Sequence, residues 1–265
     1  MSDLTKAKVG VVVACRMKSS RLKKKATLKI NGIASVERCL QNCRLISDVD
    51  EVVLATSTNE EDAILENYTL GGKVKFWRGE SDDVIKRYLG ACEEYGIDVI
   101  IRVTADCPVV SPEIAKLLLK SHIETGADYT AAVNCAVGTG SEIYNVAALQ
   151  KVIALLGDAE HSEYMTWYMQ NNTEIFNVNF VELPDELKRD YRLTLDYPED
   201  LEMFNKLYML LDEQGVEPTL LNIFEILDGN SSISEINQDL TLTYKTDSEL
   251  IEKLNKETRI TVSSV

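Results

Sequence analysis

Four times in the first half of this 265-residue chain a short apolar run gives way to a helical pattern, and that alternation restricts the fold more than any other feature. Residues 8–14 (KVGVVVA) are nearly continuously apolar, as a strand buried on both faces must be. Residues 51–56 (EVVLAT), 73–77 (KVKFW) and 98–103 (DVIIRV) read as further strands. A helical segment follows each. Residues 34–46 show helical spacing through Val36, Cys39, Leu40, Cys43 and Ile46, behind an Asn31-Gly32 turn. Thr58 caps a segment over 59–69, and Ser81 precedes a helix over 82–95 with Asp82 and Asp83 in its positive first turn. Ser111-Pro112, an N-cap followed by proline at the first helical position, opens a helix to residue 125. This order predicts an α/β chain: a mostly parallel, mixed sheet with helices on both faces, in three layers.

After residue 128 the pattern changes. Short strands at 128–133, 141–145, 175–181 and 191–196 mix with helices at 146–156 and 161–170, which reads as an insertion (128–195) carrying a second substrate or a subunit contact. Helices at 198–214 and 219–228 complete a main domain of residues 1–232. Residues 233–265 are polar, with a helix expected at 247–257, and form a C-terminal arm.

The formal charge is −15, which disfavours nucleic acid and anionic membranes as partners. The cations are not evenly spread, however. Arg16, Lys18, Arg21, Lys23, Lys24, Lys25 and Lys29 crowd one stretch after the first strand. A cationic loop in an acidic protein suits a small, highly charged anion, although a solvated charged loop has the same composition. None of the six cysteines forms a C-x-x-C pair, and His122 and His161 are the only histidines, so a zinc site is disfavoured. The N-terminus lacks an apolar signal core and no apolar run reaches membrane-spanning length. A cytoplasmic protein with reduced thiols is expected.

Ligands of open α/β sheets bind beyond the carboxyl ends of the strands. The basic loop lies there and has no glycine, no G-x-G-x-x-G and no G-K-[ST]. It offers side chains instead: Arg16, Ser19, Ser20, Arg21 and Lys25, hydroxyls and cations that suit a triphosphate. Asp106, after strand 98–103, is either a ligand for a hard cation such as Mg²⁺ or a turn or cap residue. Asp196 and Asp200 flank a helix opening at Pro198, and each could simply favour that N-terminus. Only a second carboxylate converging on the same metal raises Asp196 above that role. Glu142 could hold a sugar hydroxyl or solvate a strand edge. His161 could contact a substrate or cap a helix. Two histidines and no nucleophile elbow make a Ser–His–Asp arrangement implausible.

In this order the segments resemble the spore-coat polysaccharide type of cytidylyltransferase and, more distantly, the 3-deoxy-manno-octulosonate and acylneuraminate cytidylyltransferases. The family's A-R-M-x-S-x-R-L-P-G-K loop is similar to Cys15 through Lys25, and its F-R-G-x-x-x-D-V-x-x-R-Y stretch to Phe76 through Tyr88. R-x-T-G-D-C-P is matched by Arg102 through Pro108, E-H by Glu160-His161, and R-L-T-x-D-Y-P-E-D-L by Arg192 through Leu201. The resemblance implies a nucleotide-diphospho-sugar transferase (Rossmann-like) architecture, CTP as donor, Mg²⁺ as cofactor and a homodimer. It implies nucleotide contacts from Ala14, Arg16, Ser19, Ser20, Arg21, Lys25, Arg78, Arg102 and Asp106, and metal ligation by Asp106 and Asp196. Arg21, Lys25, Asp106 and Asp196 fall on catalytic positions, and Glu142 and His161 on the side of the acceptor substrate.

The implied reaction is transfer of CMP from CTP to an acidic sugar, of the ulosonic or sialic type, with release of pyrophosphate, in surface polysaccharide or glycoconjugate synthesis. The nearest alternative is a sugar-1-phosphate nucleotidyltransferase. A glycosyltransferase would need a D-x-D after a central strand; this site reads Asp106-Cys107-Pro108, and Asp48-Val49-Asp50 lies before a strand. Of three departures from the family pattern, those at Lys23-Lys24 and Ala105 motivate a last alternative, an inactive binding module. Lys23-Lys24 replaces the family's Pro-Gly, which removes a rigid turn and a flexible position. Ala105 replaces the glycine before the metal carboxylate, and Cys15 replaces alanine.

Overall fold

The computed structural model describes residues 7–240 and 246–261. Residues 241–245 and 262–265, which belong to the expected C-terminal arm, lie outside the described residues.

The apolar run after Lys8 forms β1 (Val9–Ala14), an interior strand of a seven-stranded sheet. β1 pairs in parallel with β4 (Glu51–Ser57) on one side and β6 (Val99–Thr104) on the other, and β4 pairs in parallel with β5 (Lys75–Gly79). Beyond β6 the sheet turns mixed. β8 (Glu142–Asn145) runs antiparallel to both β6 and β7 (Tyr129–Val133), and β9 (Val178–Glu182) pairs in parallel with β7. The sheet order is therefore β5-β4-β1-β6-β8-β7-β9. A two-stranded hairpin, β2 (Lys29–Ile30) and β3 (Ile33–Ala34), turns at the expected Asn31-Gly32, where both residues have positive φ.

Because side chains alternate along a strand, β1 feeds two cores. Val11 and Val13 pack on one face with α1 (Ser35–Cys43), α3 (Pro112–Thr125), α6 (Pro198–Gln214) and α7 (Leu220–Gly229), whose Leu40, Leu118, Phe204 and Phe224 are buried there. Cys39 and Cys43 are fully buried in this core, as their spacing predicts. Val12 packs on the opposite face with α2 (Val84–Tyr95), α4 (Val146–Leu156) and α5 (Met165–Gln170). This is the expected three-layer α/β architecture.

Four local expectations need correction. The segment after β4 is a 3-10 helix, Glu60–Tyr68, entered through Asn59 rather than Thr58. Helix α2 begins at Val84, since Asp83 is its N-cap and accepts from the Lys86 amide at 3.0 Å. The helix expected over 161–170 is a 3-10 turn (Ser162–Tyr164) followed by α5.

The largest change concerns 191–196, which is extended but joins no sheet among the described residues. The Leu193 amide donates to the Val137 carbonyl (2.7 Å) and the Leu195 amide to the Asp106 carbonyl (2.8 Å). Its backbone-to-backbone bonds are thus divided between two loops, with one isolated bridge between Val137 and Arg192, while the Asn237 side chain donates to the Arg192 carbonyl (3.0 Å).

The C-terminal segment docks on the body. The helix Ser248–Glu257 ends beside Asn172, whose amide donates to the Thr258 carbonyl (2.9 Å) and whose own carbonyl accepts from the Ile260 amide (2.8 Å).

Candidate active site

Strand order reverses direction between β1 and β6, so their following loops diverge and leave a crevice at the carboxyl edge. The two strand ends stay joined: Ala14 faces Thr104, and the Ala105 amide donates to the Ala14 carbonyl at 3.0 Å. The basic loop leaves β1 here and is pinned by Asp62, a fully buried carboxylate that accepts from the Met17 amide (2.6 Å) and the Ser57 hydroxyl.

Lys24 adopts φ 55°, ψ 29°, the left-handed conformation, and leads into a short 3-10 turn (Lys25–Thr27). This is where the resembled loop carries glycine. A lysine here costs about 1–2 kcal/mol of local strain, and the turn is retained nonetheless.

The crevice is a cleft of about 470 Å³, within the usual range for small-ligand sites. Ala14, Arg16, Ser19, Ser20, Arg21, Lys25, Arg102 and Asp106 all line it, so most of the residues expected to meet a nucleotide are brought together. Sequence reasoning missed Arg87, Ser35, Glu163 and Tyr164, which line it too. Arg87 stands in the segment similar to D-V-x-x-R-Y, and its guanidinium donates to the Glu80 (2.8 Å) and Ser81 (2.9 Å) carbonyls. The Ser35 hydroxyl is buried in the wall of the cleft and has no partner among the described residues.

Arg78 is placed elsewhere. It clamps the loop after β4 through the carbonyls of Ser57, Thr58 and Asn59, and lines neither this cleft nor its neighbour.

Asp106 and Asp196 converge. Lys25 Nζ lies 2.7 Å from Asp106 Oδ2 and 2.8 Å from Asp196 Oδ1. Arg21 donates to the same Asp196 oxygen at 2.7 Å, and Arg192 reaches Asp196 Oδ2 at 3.3 Å. Burial opposes the charge on Lys25, but the two carboxylates hold its pKa above the ordinary lysine value. Burial likewise opposes the charge on Asp196, and Lys25 and Arg21 still hold it below the usual carboxylate range.

Asp200, not Asp196, serves the start of α6. It accepts from the Tyr197 amide (2.9 Å) and the Asp196 amide (2.8 Å), and pairs with Arg192 at 2.8 and 3.0 Å. That leaves the Asp196 carboxylate facing the Lys25 ammonium. Two carboxylates within reach of one shared cation are a hard-oxygen pair that fits Mg²⁺.

A second cavity of about 500 Å³ adjoins the first and shares Arg102, Thr104, Asp106, Glu163 and Tyr164 with it. Tyr129, Trp167 and Phe180 give it aromatic walls. Glu142 lines this cavity. It is not on a strand edge, because β8 is flanked on both sides. Its carboxylate pairs with Arg102 and accepts from Tyr129 (2.6 Å), Thr166 (2.7 Å) and Tyr144 (3.3 Å). Against the effect of burial, Arg102 and the Tyr129 and Thr166 hydroxyls hold the Glu142 pKa down, and Glu142 raises that of Arg102. His161 lines neither cavity and makes no side-chain capping bond; its ring pairs with Glu257 at the end of the C-terminal helix.

Comparison with known proteins agrees with this geometry. Residues 10–227 match the family model described as Cytidylyltransferase. The chain is 33% identical over 210 residues to the spore coat polysaccharide biosynthesis protein SpsF of Bacillus subtilis, covering 77% of this chain and 87% of that protein. Its fold is similar to a cytidylyltransferase from Leptospira borgpetersenii serovar Hardjo-bovis (TM-score 0.79, 26% identity, 89% of this chain and 99% of that one). It also shares the fold of CMP:2-keto-3-deoxy-manno-octonic acid synthetase, solved with CTP (TM-score 0.62, 16% identity, 77% and 99%). Among the described residues no helix is long and apolar enough to cross a membrane.

Proposed function

The chain belongs to the cytidylyltransferase family, and from that premise we propose that it transfers CMP from CTP to an acidic sugar, releasing pyrophosphate. The observation that carries the reading is the convergence of Asp106 and Asp196 at the foot of a cleft lined by cationic and hydroxyl side chains.

In this reading Arg16, Ser19, Ser20, Arg21 and Lys25 cradle the triphosphate, while Ala14 and Arg102 border the nucleoside. Asp106 and Asp196 would hold Mg²⁺. Bound there, the ion would neutralise charge on the reacting phosphate and acidify the acceptor hydroxyl. The acceptor enters from the second cavity, because Asp106 belongs to both. Its oxygen attacks the α-phosphorus, the bond to the bridging oxygen breaks, and Arg21 and Lys25 stabilise the charge on departing pyrophosphate.

The acid in the acceptor is supported by the fold shared with the octonic acid synthetase, and a polysaccharide pathway by the named role of SpsF. A cytoplasmic homodimer accords with the resemblance.

The test is pyrophosphate release from CTP, ATP, GTP or UTP with Mg²⁺ and a panel of ulosonic acids, sialic-type acids and sugar 1-phosphates. Release with CTP and one acid is the expected result. Release only with a sugar 1-phosphate would replace the acceptor class, and absence of CTP binding would overturn the reading.

A further inference from the structure

The Lys25 ammonium holds the position that a cation shared by Asp106 and Asp196 would take. It touches both carboxylates at 2.7 and 2.8 Å, and its side chain is 18% exposed. A divalent ion bound by the same two oxygens at about 2.0–2.1 Å leaves no room for an ammonium between them. The cluster is also already balanced. Asp106, Asp196 and Asp200 face Lys25, Arg21 and Arg192, each within an ion pair. Three carboxylates against three cations offer a further cation little net attraction.

We propose that Lys25 is an exchangeable counter-ion. Without nucleotide it occupies the cation position between Asp106 and Asp196; when a triphosphate enters, Lys25 turns to the phosphates and gives that position to the divalent ion. The inference rests on the reading of this cleft as a nucleotide and metal site.

Three features suit the exchange. Lys25 lines the same cleft as Arg16, Ser19, Ser20 and Arg21, so its flexible stem can reach an anion there without backbone movement. Arg21, the other cation on Asp196 Oδ1, has a side chain 43% exposed in the same cleft and can follow. Asp196 stays fixed throughout, because its amide is held by Asp200 and Arg192 remains on its other oxygen. Nucleotide and metal then bind as one coupled event. Each favours the other by an equal factor, because linkage is reciprocal.

Mn²⁺ serves as the probe, with binding to nucleotide-free protein followed by loss of the free-ion electron paramagnetic resonance signal. Wild type is compared with Lys25→Met, Lys25→Gln, Arg21→Met and the double variant Lys25→Met/Asp106→Asn, each checked for folding by circular dichroism. The expected result is Mn²⁺ affinity about tenfold or more above wild type in both Lys25 variants. Arg21→Met, which removes an equal charge but leaves the bridge, gives a clearly smaller gain, and the double variant loses the gain. Lys25 variants that bind Mn²⁺ no better than wild type, or no better than Arg21→Met, overturn the exchange. Calorimetric titration of wild type with CTP and Mg²⁺ separates the two levels: CTP uptake without the Mn²⁺ gain sinks the exchange alone, and absence of uptake sinks the function on which it rests.

Discussion

The Leu195 amide donates to the Asp106 carbonyl at 2.8 Å. That single backbone bond sets the two carboxylate-bearing segments side by side. Thr194 reinforces it, its hydroxyl donating to the same carbonyl at 3.1 Å. Asp196 follows directly, and its side chain meets Asp106 across Lys25. The site is therefore built on loop-to-loop hydrogen bonds, and its geometry responds to anything that moves residues 192–196.

Gly138 is the position where such a movement is easiest to cause. Its φ is +88°, and a Cβ there would lie 2.0 Å from the Leu193 carbonyl oxygen. Backbone atoms cannot yield as a flexible side chain can, so Gly138→Ala must push residues 192–196 away. A stability loss of about 2 kcal/mol or more is expected in urea titration. The folded fraction should also lose about 10²-fold in pyrophosphate release, because a small displacement of reacting groups is costly.

Lys24→Gly should do the opposite. Relief of left-handed strain outweighs the added freedom of the unfolded chain, and a gain of about 0.5–1 kcal/mol is expected. Lys24→Pro, which fixes φ near −65°, should destabilise. Thermal midpoints of the two variants against wild type check both signs.

The two carboxylates should differ under amide substitution. Asp106→Asn leaves Lys25 a partner in Asp196, so stability changes little while turnover falls about 10²–10³-fold. Asp196→Asn removes the common partner of Arg21, Lys25 and Arg192, two of them largely buried. It should cost about 3 kcal/mol as well as activity. Chemical denaturation beside steady-state kinetics distinguishes the two.

Asp196 and Glu142 both have depressed pKa values in the folded protein. The unfolded chain therefore takes up their protons at higher pH. Their contribution is complete above the unfolded values, near about 4, and is lost as pH falls through the folded ones. Lys25 is shifted upward. Its contribution is complete below the unfolded value near about 10.4 and is lost as pH rises through the folded one. Calorimetry should show a plateau across neutral pH with a fall on each side, and the acid fall should be shallower in Asp196→Asn.

Local chemistry makes much of this protein legible in its sequence. Apolar continuity in 8–14 and 98–103 marks buried strands, and Ser111-Pro112 and Asn31-Gly32 mark a helix start and a turn, because each is settled by neighbours in sequence. The cationic loop and Asp106 were visible as one end of a site for the same reason. The run 191–196 reads as a strand because its extended pattern does not say where its hydrogen bonds go; its backbone partners lie in two loops, and side chains of Asn237 and Asp200 take others. Glu142 read as a candidate edge residue because nothing in Gly140-Ser141-Glu142 reveals that Arg102 and three hydroxyls would surround it. The pairing of His161 with Glu257 depends on where the C-terminal helix docks.

By itself, then, the sequence determined the layered α/β class, the strand–helix order and the inventory of charged groups, since periodicity and turn chemistry act over a few residues. Tertiary structure alone decided which groups meet. It divided Asp196 from Asp200, giving one to Lys25 and the other to the start of α6, and it set Lys25 between two carboxylates from distant segments. Such contacts are fixed by loop geometry and by burial of unlike charges together, and neither leaves a local period in the chain.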